Sequence, residues 1–521
     1  MGLPGWIPAC TVFAAANGLS RFMKVLAAFG TAEEPVSTPA PDFEQVERDG
    51  ADLVADLARR VETRAAMEVD AAQAAMFGRR CQVVATLLDA LAPRSTAGRL
   101  LRTGFACRLD ELLSADATAI RLRAIIDFYY SHAAVLHHLP ASETDRGPAP
   151  WELAAPVRWI RVTRGLFAGS VSGMSRRGPT RISLLRFDRL RFRFRCVDAR
   201  AASGEGALLE ELAAAQGAVA AFSGGFFLYS EPDIVPPARR HDPVGLLVTD
   251  GRVVAPPIYR RPAFAQDGEG RVHFLQLGMK DVLIELGNDL ALHPGGVNSR
   301  AVATRSPVVF HRGIGVVVSE LPGRVLRFSA GRFIDCTESG ADIPAGGFVV
   351  SLPAGRDWES LAESLIPGTQ VGFRLAKRPG PMPVQAMAGG PTLLSGGQVV
   401  LPLVEEDFGG LAEPRTFTLD ETGDQNLLPR MAVGLTAEHE VIVAAADGRN
   451  FDRALGLTLS DLSSVMRAVG CVAAINLDGG SSKRMVADGR VLDLPSTDIL
   501  GPGDNAAEVR PVYSAVLALQ R

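Results

Sequence analysis

The chain has 521 residues and a formal net charge of -4. This length exceeds the roughly 250 to 300 residues at which a single hydrophobic core stops growing, so two domains are expected. Its 47% hydrophobic and 21% charged residues are typical of a globular protein and exclude collagen-like and disordered chains. The charge gives no sign of the strongly basic surface that binds nucleic acid, so nucleic acid is not an expected partner.

Residues 1–42 are predicted to form an N-terminal segment and linker. Residues 1–30 lack a positively charged start before their apolar stretch and therefore make a poor signal peptide. Pro35, Pro39 and Pro41 each disfavour helix at the preceding residue, which predicts an extended linker over residues 31–42. The sequence has no apolar run of about 20 residues, so no transmembrane segment is expected. The sequence does not indicate the cellular compartment.

Residues 43–140 are predicted to form a small all-α domain, because apolar side chains recur at the spacing of a buried helix face. The repeats are Leu53, Val54, Leu57 and Val61, then Val84, Leu87, Leu88 and Leu91, then Leu122, Ile125, Ile126 and Tyr129. The proline-containing residues 141–156 are predicted to be a second linker. The sequence leaves the role of the helices unknown, and docking of a protein partner is one hypothesis.

Residues 157–521 are predicted to form a β-rich mixed-sheet domain with flanking helices, which makes the fold class α+β. Alternating apolar and arginine residues up to Cys196 indicate a strand with one buried face. Further along, residues 441–446 and 472–477 are strand-like and enclose a helix that Thr458 and Asp461 would cap. We therefore expect a strand, helix, strand unit near the C-terminus.

Cysteines and histidines do not predict a metal site. The six cysteines are widely spaced and are expected to be core thiols. His132, His137 and His138 lack the spacing that places two ligands on one helix face. His241 beside Asp242 is a candidate for acid–base catalysis, but a lone histidine in a proline-rich loop more often has no catalytic role.

A carboxylate and a glycine turn follow the apolar residues 472–475. Asn476, Asp478, Gly479, Gly480 and Ser481 would lie at the carboxyl end of a buried strand, where backbone amides can approach phosphate or sugar oxygens. Asp-Gly-Gly alone marks an ordinary turn more often than a binding site.

Asp447 and Arg449 follow the other strand in the same way, and consecutive strands joined by one helix are often neighbours. The Asp447 carboxylate can accept a hydrogen bond from water or a sugar hydroxyl, and the Arg449 guanidinium can donate to a phosphate. A structural Asp–Arg pair explains them equally well. Arg430, at the start of another strand, is either a phosphate clamp or an exposed arginine.

Two more strand-like segments end in glycines and are candidates for substrate binding. The residues are Gly224, Gly225 and Phe226 in one segment, and Gly389 and Gly390 in the other. Tight packing at a bend is the alternative interpretation of both.

Taken in order, these segments resemble the phosphodiester glycosidase family, which includes N-acetylglucosamine-1-phosphodiester alpha-N-acetylglucosaminidase and bacterial exopolysaccharide-associated proteins. The resemblance covers about two-thirds of the chain. Its segments are Arg181-Ile182-Ser183-Leu184, Gly224-Gly225-Phe226-Phe227, residues 247–254, Ile343-Pro344-Ala345-Gly346, Ala388-Gly389-Gly390-Pro391, Arg430-Met431-Ala432-Val433-Gly434, Asp447-Gly448-Arg449 and Asn476-Leu477-Asp478-Gly479-Gly480.

This resemblance implies a hydrolase that cleaves the bond between a sugar's anomeric carbon and a phosphate. The expected substrate is a glycosyl phosphodiester or polysaccharide, with N-acetylglucosamine as the usual sugar. Asp478 or Asp447 would activate water or stabilise the oxocarbenium ion, while Arg430 and Arg449 hold the phosphate. No cofactor is required. Asp447, Asp478 and Asn476 offer the oxygen ligands that divalent metals prefer, but their spacing does not require a metal.

The chain departs from the family pattern at two places. Ser223 replaces the usual Asn, and Ser481-Ser482-Lys483-Arg484 replaces a longer Gly-Ser-Ser-Thr run. Lys483 and Arg484 either add positive charge beside the phosphate or mark a member with an altered substrate or no activity. A sugar-phosphate binding module and a polysaccharide assembly protein are therefore alternative functions. Export is usual in the family, although the N-terminus shows no clear signal peptide.

Overall fold

A computed structural model describes most of the chain after residue 49. The described residues are 50–68, 71–91, 96–115, 119–138, 147–200, 205–227, 241, 243–257, 260–287, 290–297, 300–310, 317–344, 347–376, 380–406, 426–501 and 503–521. The predicted N-terminal segment and linker lie outside them, as do Asp242 and residues 141–146.

Four long helices come first and form a packed group, here called the helical segment. They are α1 Gly50–Glu68, α2 Ala71–Leu91, α3 Thr96–Ser114 and α4 Ala119–His138. Their recurring apolar residues, such as Val61, Leu88 and Ile126, are buried in one core. Later in the chain come α5 Pro150–Leu153, α6 Leu209–Ala215, α7 Arg300–Ala303, α8 Arg356–Ser364 and α9 Leu459–Ala468.

Strands dominate the described chain after residue 159. In chain order they are β1 Ile160–Thr163, β2 Leu166–Ser175, β3 Gly178–Phe187, β4 Phe192–Asp198, β5 Ala220–Ser223, β6 Leu247–Thr249, β7 Arg252–Ala255, β8 Pro262–Asp267, β9 Val272–Gln276, β10 Val282–Leu286, β11 Leu290–Leu292, β12 Gly296–Val297, β13 Val308–Phe310, β14 Val317–Val318, β15 Arg324–Ser329, β16 Arg332–Glu338, β17 Ala341–Asp342, β18 Gly347–Ser351, β19 Val371–Leu375, β20 Pro383–Ala388, β21 Thr392–Ser395, β22 Gln398–Val399, β23 Arg430–Thr436, β24 Val441–Ala446, β25 Cys471–Leu477, β26 Met485–Ala487, β27 Arg490–Val491 and β28 Ser514–Gln520. Helices followed by several sheets confirm the predicted α+β class.

The described strands form two eight-stranded sheets, two five-stranded sheets and one two-stranded sheet. The central sheet has the order β1-β2-β3-β24-β23-β25-β21-β22. A second eight-stranded sheet has the order β11-β10-β19-β7-β6-β20-β8-β9, and the C-terminal sheet has the order β27-β26-β5-β28-β4. The sheets β12-β13-β18-β15-β16 and β14-β17 complete the described strands.

The central and C-terminal sheets share one hydrophobic core. Val433 and Ile475 of the central sheet are buried with Phe222 and Val516 of the C-terminal sheet and with Phe264 of the second sheet. Alternation of side chains along each strand supplies the apolar face that each sheet brings to this core. The packing fixes the strand ends relative to one another.

The helical segment is joined to this β-rich part by a common core. Leu427, Phe451, Leu455 and Ile499 are buried together with the apolar faces of α1 to α4. The Tyr130 ring lies 5.1 Å from the Phe451 ring, measured between centroids. The helical segment therefore packs against loops that connect the strands of the β-rich part. Among the described residues, no helix combines the length and apolar character that a membrane span requires.

Candidate functional site

The central sheet brings the predicted site residues to one edge. β23 runs antiparallel to both of its neighbours, so Arg430 pairs with Ala446 of β24 while Met431 pairs with Leu477 of β25. The start of β23 and the ends of β24 and β25 therefore meet. Consecutive strands joined by one helix are often neighbours, but here β23 lies between β24 and β25 and pairs with both.

The Asp478 turn is held against two other segments by its backbone. The Asp478 N–H donates to Gly224 O at 2.8 Å, and the Gly480 N–H donates to Pro429 O at 2.8 Å. A Cβ atom on Gly479 would lie 2.5 Å from Pro429 O, so a side chain there would push the turn away. Asp478 is buried, with 7% of its surface exposed, whereas Ser481 is half-buried.

The Gly389–Gly390 turn packs onto the residue two positions before Asp478. The Gly390 N–H donates to Asn476 O at 2.6 Å, and the Asn476 side-chain amide donates to Gly390 O at 2.8 Å. A Cβ atom on Gly389 would lie 2.4 Å from Asn476 O. Gly390 has a φ of 109°, which favours glycine. Glycine at these two positions therefore allows the two backbone segments to pack closely.

The Gly224–Gly225 turn completes the convergence. Besides accepting from the Asp478 N–H, it donates to the C-terminal sheet, where the Gly225 N–H donates to Ser514 Oγ at 3.1 Å. A Cβ atom on Gly225 would lie 2.5 Å from that oxygen. Phe226 is buried, and the Arg261 guanidinium carbon lies 5.6 Å from its ring centroid. Three glycine turns thus surround Asn476 and Asp478.

Asp447 lies in a buried ion-pair network. Its Oδ1 accepts from the Lys483 ammonium at 2.7 Å and from the Leu494 N–H at 2.9 Å, and its Oδ2 accepts from the Arg181 guanidinium. Lys483 Nζ also lies 2.6 Å from Asp493 Oδ2. The side chains of Asp447, Lys483 and Asp493 are at most 1% exposed. The negative charge of Asp447 is therefore balanced inside the protein.

The two departures from the family pattern contact each other. The Arg484 N–H donates to Ser223 Oγ at 2.9 Å, and the Ser223 N–H donates to Arg484 O at 3.0 Å. The Arg484 guanidinium lies 3.3 Å from Asp493 Oδ2, and Lys483 is fully buried. Both cations are therefore directed into the network around Asp447 and Asp493.

Arg430 and Arg449, the predicted phosphate clamps, donate to other parts of the chain. Arg430 Nε donates to Leu457 O and Nη2 to Asn426 O, each at 3.0 Å. Arg449 Nη2 lies 3.2 Å from Asp127 Oδ2 of α4, and its Nη1 donates to Ser496 O at 3.2 Å. Both arginines are buried. These contacts favour the structural alternative for Arg449, whereas the exposed alternative for Arg430 is wrong because its side chain is buried.

Sequence reasoning did not single out Arg510 and Tyr513, which lie beside the Asp478 turn. Arg510 Nη1 donates to Ser481 Oγ at 3.2 Å. The Arg510 guanidinium carbon lies 5.1 Å from the Phe227 ring centroid and 5.7 Å from that of Tyr513. His241 stacks on Tyr513 at 3.9 Å with an interplanar angle of 6°. The loop before the last strand carries no motif, so only three-dimensional placement reveals these residues.

Another buried carboxyl group, that of Glu406, lies near the Gly389–Gly390 turn through its contacts with Thr392. Its two oxygens accept from the Thr392 N–H at 2.7 Å and the Thr392 hydroxyl at 2.5 Å. Burial raises the pKa of this carboxyl above its ordinary value, although the Thr392 hydrogen bonds and Arg261 oppose the shift. In the part of the chain that the structure describes, no group of three or more His, Cys, Asp or Glu residues could hold a metal ion. The described cysteines have free thiols.

Comparison with known proteins gives the class of this region. Residues 323–517 match the model of the phosphodiester glycosidase family, which confirms the resemblance seen in the sequence. The matched range contains β23, β24 and β25 with the turns that follow them. Arg181 and the Gly224–Gly225 turn lie before it.

Individual relatives are distant. The SPbeta prophage-derived uncharacterized protein YomE of Bacillus subtilis is 31% identical over 83 residues, which is 16% of this chain and 13% of that protein. A hypothetical protein from Synechocystis aligns over 70% of this chain and 64% of its own, with 21% identity and a TM-score of 0.46. The catalytic domain of zebrafish N-acetylglucosamine-1-phosphodiester alpha-N-acetylglucosaminidase, auto-inhibited by its pro-peptide, aligns over 73% of this chain and 96% of its own, with 13% identity and a TM-score of 0.36.

Proposed function

We propose that this protein is a hydrolase that cleaves the bond between the anomeric carbon of a sugar and the phosphate of a glycosyl phosphodiester. The observation that carries the proposal is the content of the matched range. The phosphodiester glycosidase match at residues 323–517 includes the sheet edge where Asp478, Asn476 and two glycine turns meet. A third glycine turn, Gly224–Gly225, joins the same edge from outside that range.

The chemistry requires a group at this edge that takes a proton from water. A phosphate monoester is a good leaving group, so it takes the electron pair of the breaking C–O bond with little help from a general acid. Water then adds to the anomeric carbon, and its proton passes to a base. We assign that base to Asp478, because it lies in the turn where the glycine segments meet, whereas Asp447 lies in the buried network with Lys483 and Arg181.

Asp447 accordingly acts as a positioning residue in this proposal. Its contacts tie the end of β24 to residues 483–494, which directly follow the Asp478 turn. The glycine turns contribute close backbone packing around Asp478, because the N–H groups of Gly225, Gly390 and Gly480 donate within the chain. N-acetylglucosamine as the sugar, an exopolysaccharide setting and export remain proposals that rest on the family resemblance.

A binding module without turnover is the second candidate. The inward direction of Lys483 favours it, because the ammonium group neutralises a carboxylate that the family resemblance assigns to catalysis. Such a protein would hold a glycosyl phosphate at the glycine turns and release it unchanged.

The domain division also remains a proposal. We assign the glycosidase-like domain to residues 157–521 and the helical domain to residues 43–140. Since Leu427 and Phe451 are buried with the helices, part of the helical surface is covered from within the chain. Activity should therefore be measured on the whole protein.

The test is release of free N-acetylglucosamine from its α-linked 1-phosphate methyl diester and from UDP-N-acetylglucosamine. We expect turnover by the unaltered protein and a loss of at least about 100-fold in Asp478→Asn, because the variant lacks the base. Asp488→Asn is the matched control. Asp488 is exposed in a hairpin turn with a φ of 50°, which asparagine also adopts readily, so turnover should be unchanged.

Two results would contradict the proposal. Full turnover in Asp478→Asn would remove Asp478 from the chemistry. Absence of turnover in the unaltered protein, together with calorimetric binding of methyl phosphate, would establish the binding module instead. Thermal unfolding of both variants checks that a loss of turnover is not a loss of fold.

A further inference from the structure

Helix α4 turns one face toward loops that border the candidate site. Tyr130 and Ser131 follow Asp127 by three and four positions, so the three buried residues share one face of the helix. The Tyr130 ring lies 5.1 Å from the Phe451 ring, and Asp127 Oδ2 lies 3.2 Å from Arg449 Nη2. Both partners belong to the loop that follows β24. The helix is therefore joined to a strand end at the edge that carries the candidate site.

Ser131 makes the contact of this face that leads most directly to Asp478. Its hydroxyl donates to Asp127 O at 2.9 Å, and its oxygen accepts from the Leu427 N–H at 3.1 Å. Ser131 is 2% exposed and Leu427 is 1% exposed, so this hydrogen bond lies inside the protein. Without the hydroxyl, the Leu427 N–H would lose its acceptor in the core, which buried amides rarely tolerate. Ser131 therefore holds the backbone of Leu427 against the helix.

Leu427 begins the short segment against which the Asp478 turn packs. Two residues later, Pro429 O accepts from the Gly480 N–H at 2.8 Å. A Cβ atom on Gly479 would lie 2.5 Å from the same oxygen, which shows how closely the two backbones approach. Because the turn packs directly on Pro429, we expect a displacement of Leu427 to displace Asp478 as well.

We propose that Ser131 is a positioning residue of the candidate site and that α4 takes part in placing Asp478 for the reaction. The proposal rests on the proposed function, in which Asp478 is the base. Ser131 holds Leu427, the chain from Leu427 fixes Pro429, and Pro429 holds the Asp478 turn. The helical segment then has a role in turnover that does not depend on an outside partner.

Hydrogen exchange tests the positioning role without requiring any turnover. Amide exchange is followed by mass spectrometry in the unaltered whole protein and in Ser131→Ala, Ser131→Thr and Ser114→Ala. Ser114 of α3 is the matched control, because its hydroxyl also donates to the carbonyl four residues earlier, Asp110 O at 2.8 Å, but its side chain is exposed. The peptides compared cover residues 478–484 at the turn and β15 Arg324–Ser329 in a different sheet.

We expect exchange in residues 478–484 to become about 10-fold faster in Ser131→Ala, because the loss of one buried hydrogen bond weakens local protection. The backbone hydrogen bonds between Leu428 and Leu457 remain, so the segment shifts without leaving its place beside the sheet. Ser131→Thr keeps the hydroxyl and should restore slow exchange. Exchange in β15 should be unchanged in every variant, and Ser114→Ala should match the unaltered protein throughout.

Kinetics provide the second readout. In turnover of the methyl diester, Ser131→Ala should lower kcat by about 10-fold with little change in KM, since a misplaced base slows the chemical step. Unchanged exchange in residues 478–484 would overturn the inference and leave Ser131 a structural residue. Equal acceleration in β15 would also overturn it, because it indicates a general loss of stability. Absence of turnover in the unaltered protein would refute the hydrolase function, and the exchange result would still decide whether Ser131 positions the turn.

Discussion

Lys483 offers a direct test of the buried ion-pair network. Its Nζ donates to Asp447, Asp493 and Leu494 O, and its side chain is 0% exposed. Lys483→Met keeps an unbranched side chain of similar size and removes the charge. Breaking a buried pair costs about 3 to 5 kcal/mol. In the variant, Asp447 retains its ion pair with Arg181, and Asp493 retains its ion pair with Arg484. We therefore expect a loss of stability at the low end of this range, about 3 kcal/mol.

The assay is thermal unfolding of Lys483→Met near pH 7. An unfolding entropy of about 2.1 cal/mol/K per residue amounts to about 1.1 kcal/mol/K for 521 residues, so Tm should fall by about 3 °C. A transition confined to part of the chain would shift further, because its entropy is smaller. Lys280→Met is the control, since Lys280 is exposed and should cost less than about 0.5 kcal/mol. Equal Tm values for the two variants would refute the network.

Two further predictions concern pH and the helical segment. Burial raises the pKa of Glu406 above its ordinary value of 4.5, so its contribution to stability is full below that value and is lost as pH rises through the raised pKa. In urea denaturation, Glu406→Gln should therefore gain stability relative to the unaltered protein between about pH 4 and pH 7, and a constant difference would contradict this. Asp127→Asn should cost about 3 kcal/mol because it leaves the buried Arg449 without its carboxylate, whereas Asp110→Asn, which breaks an exposed pair, should cost under about 1 kcal/mol; equal losses in the two variants would refute the buried link.

The elements of the fold were largely predictable because they follow from local periodicity. The expected strands 441–446 and 472–477 correspond to β24 and β25, which end within one residue of the expected positions. Thr458 caps α9 by accepting from the Asp461 N–H at 3.0 Å, as its sequence pattern indicates. The alternation of apolar and arginine residues that ends at Cys196 already begins at Leu190, but Leu190 lies in a turn before β4, with 66% of its surface exposed. Periodicity therefore locates an element better than it locates its ends.

The partners of charged side chains were not predictable, because they come from distant parts of the chain. Arg449 and Asp127 are 322 residues apart, and Arg181 and Asp447 are 266 apart. Neither pair leaves a trace in the local sequence. The glycines carried more information, since a glycine fits where backbones approach closely, and Gly389 and Gly479 both face a backbone oxygen.

The two departures from the family pattern are best understood as one structural change. Ser223 and Arg484 exchange backbone and side-chain hydrogen bonds, and Lys483 beside them joins Asp447 to Asp493. Each carboxylate thus has a buried cation, and the backbone of residues 483–485 is fixed behind the Asp478 turn. Within the turn itself, Ser481 is half-buried whereas Asp478 is buried. The altered segment is therefore compatible with the proposed role of Asp478 as the base.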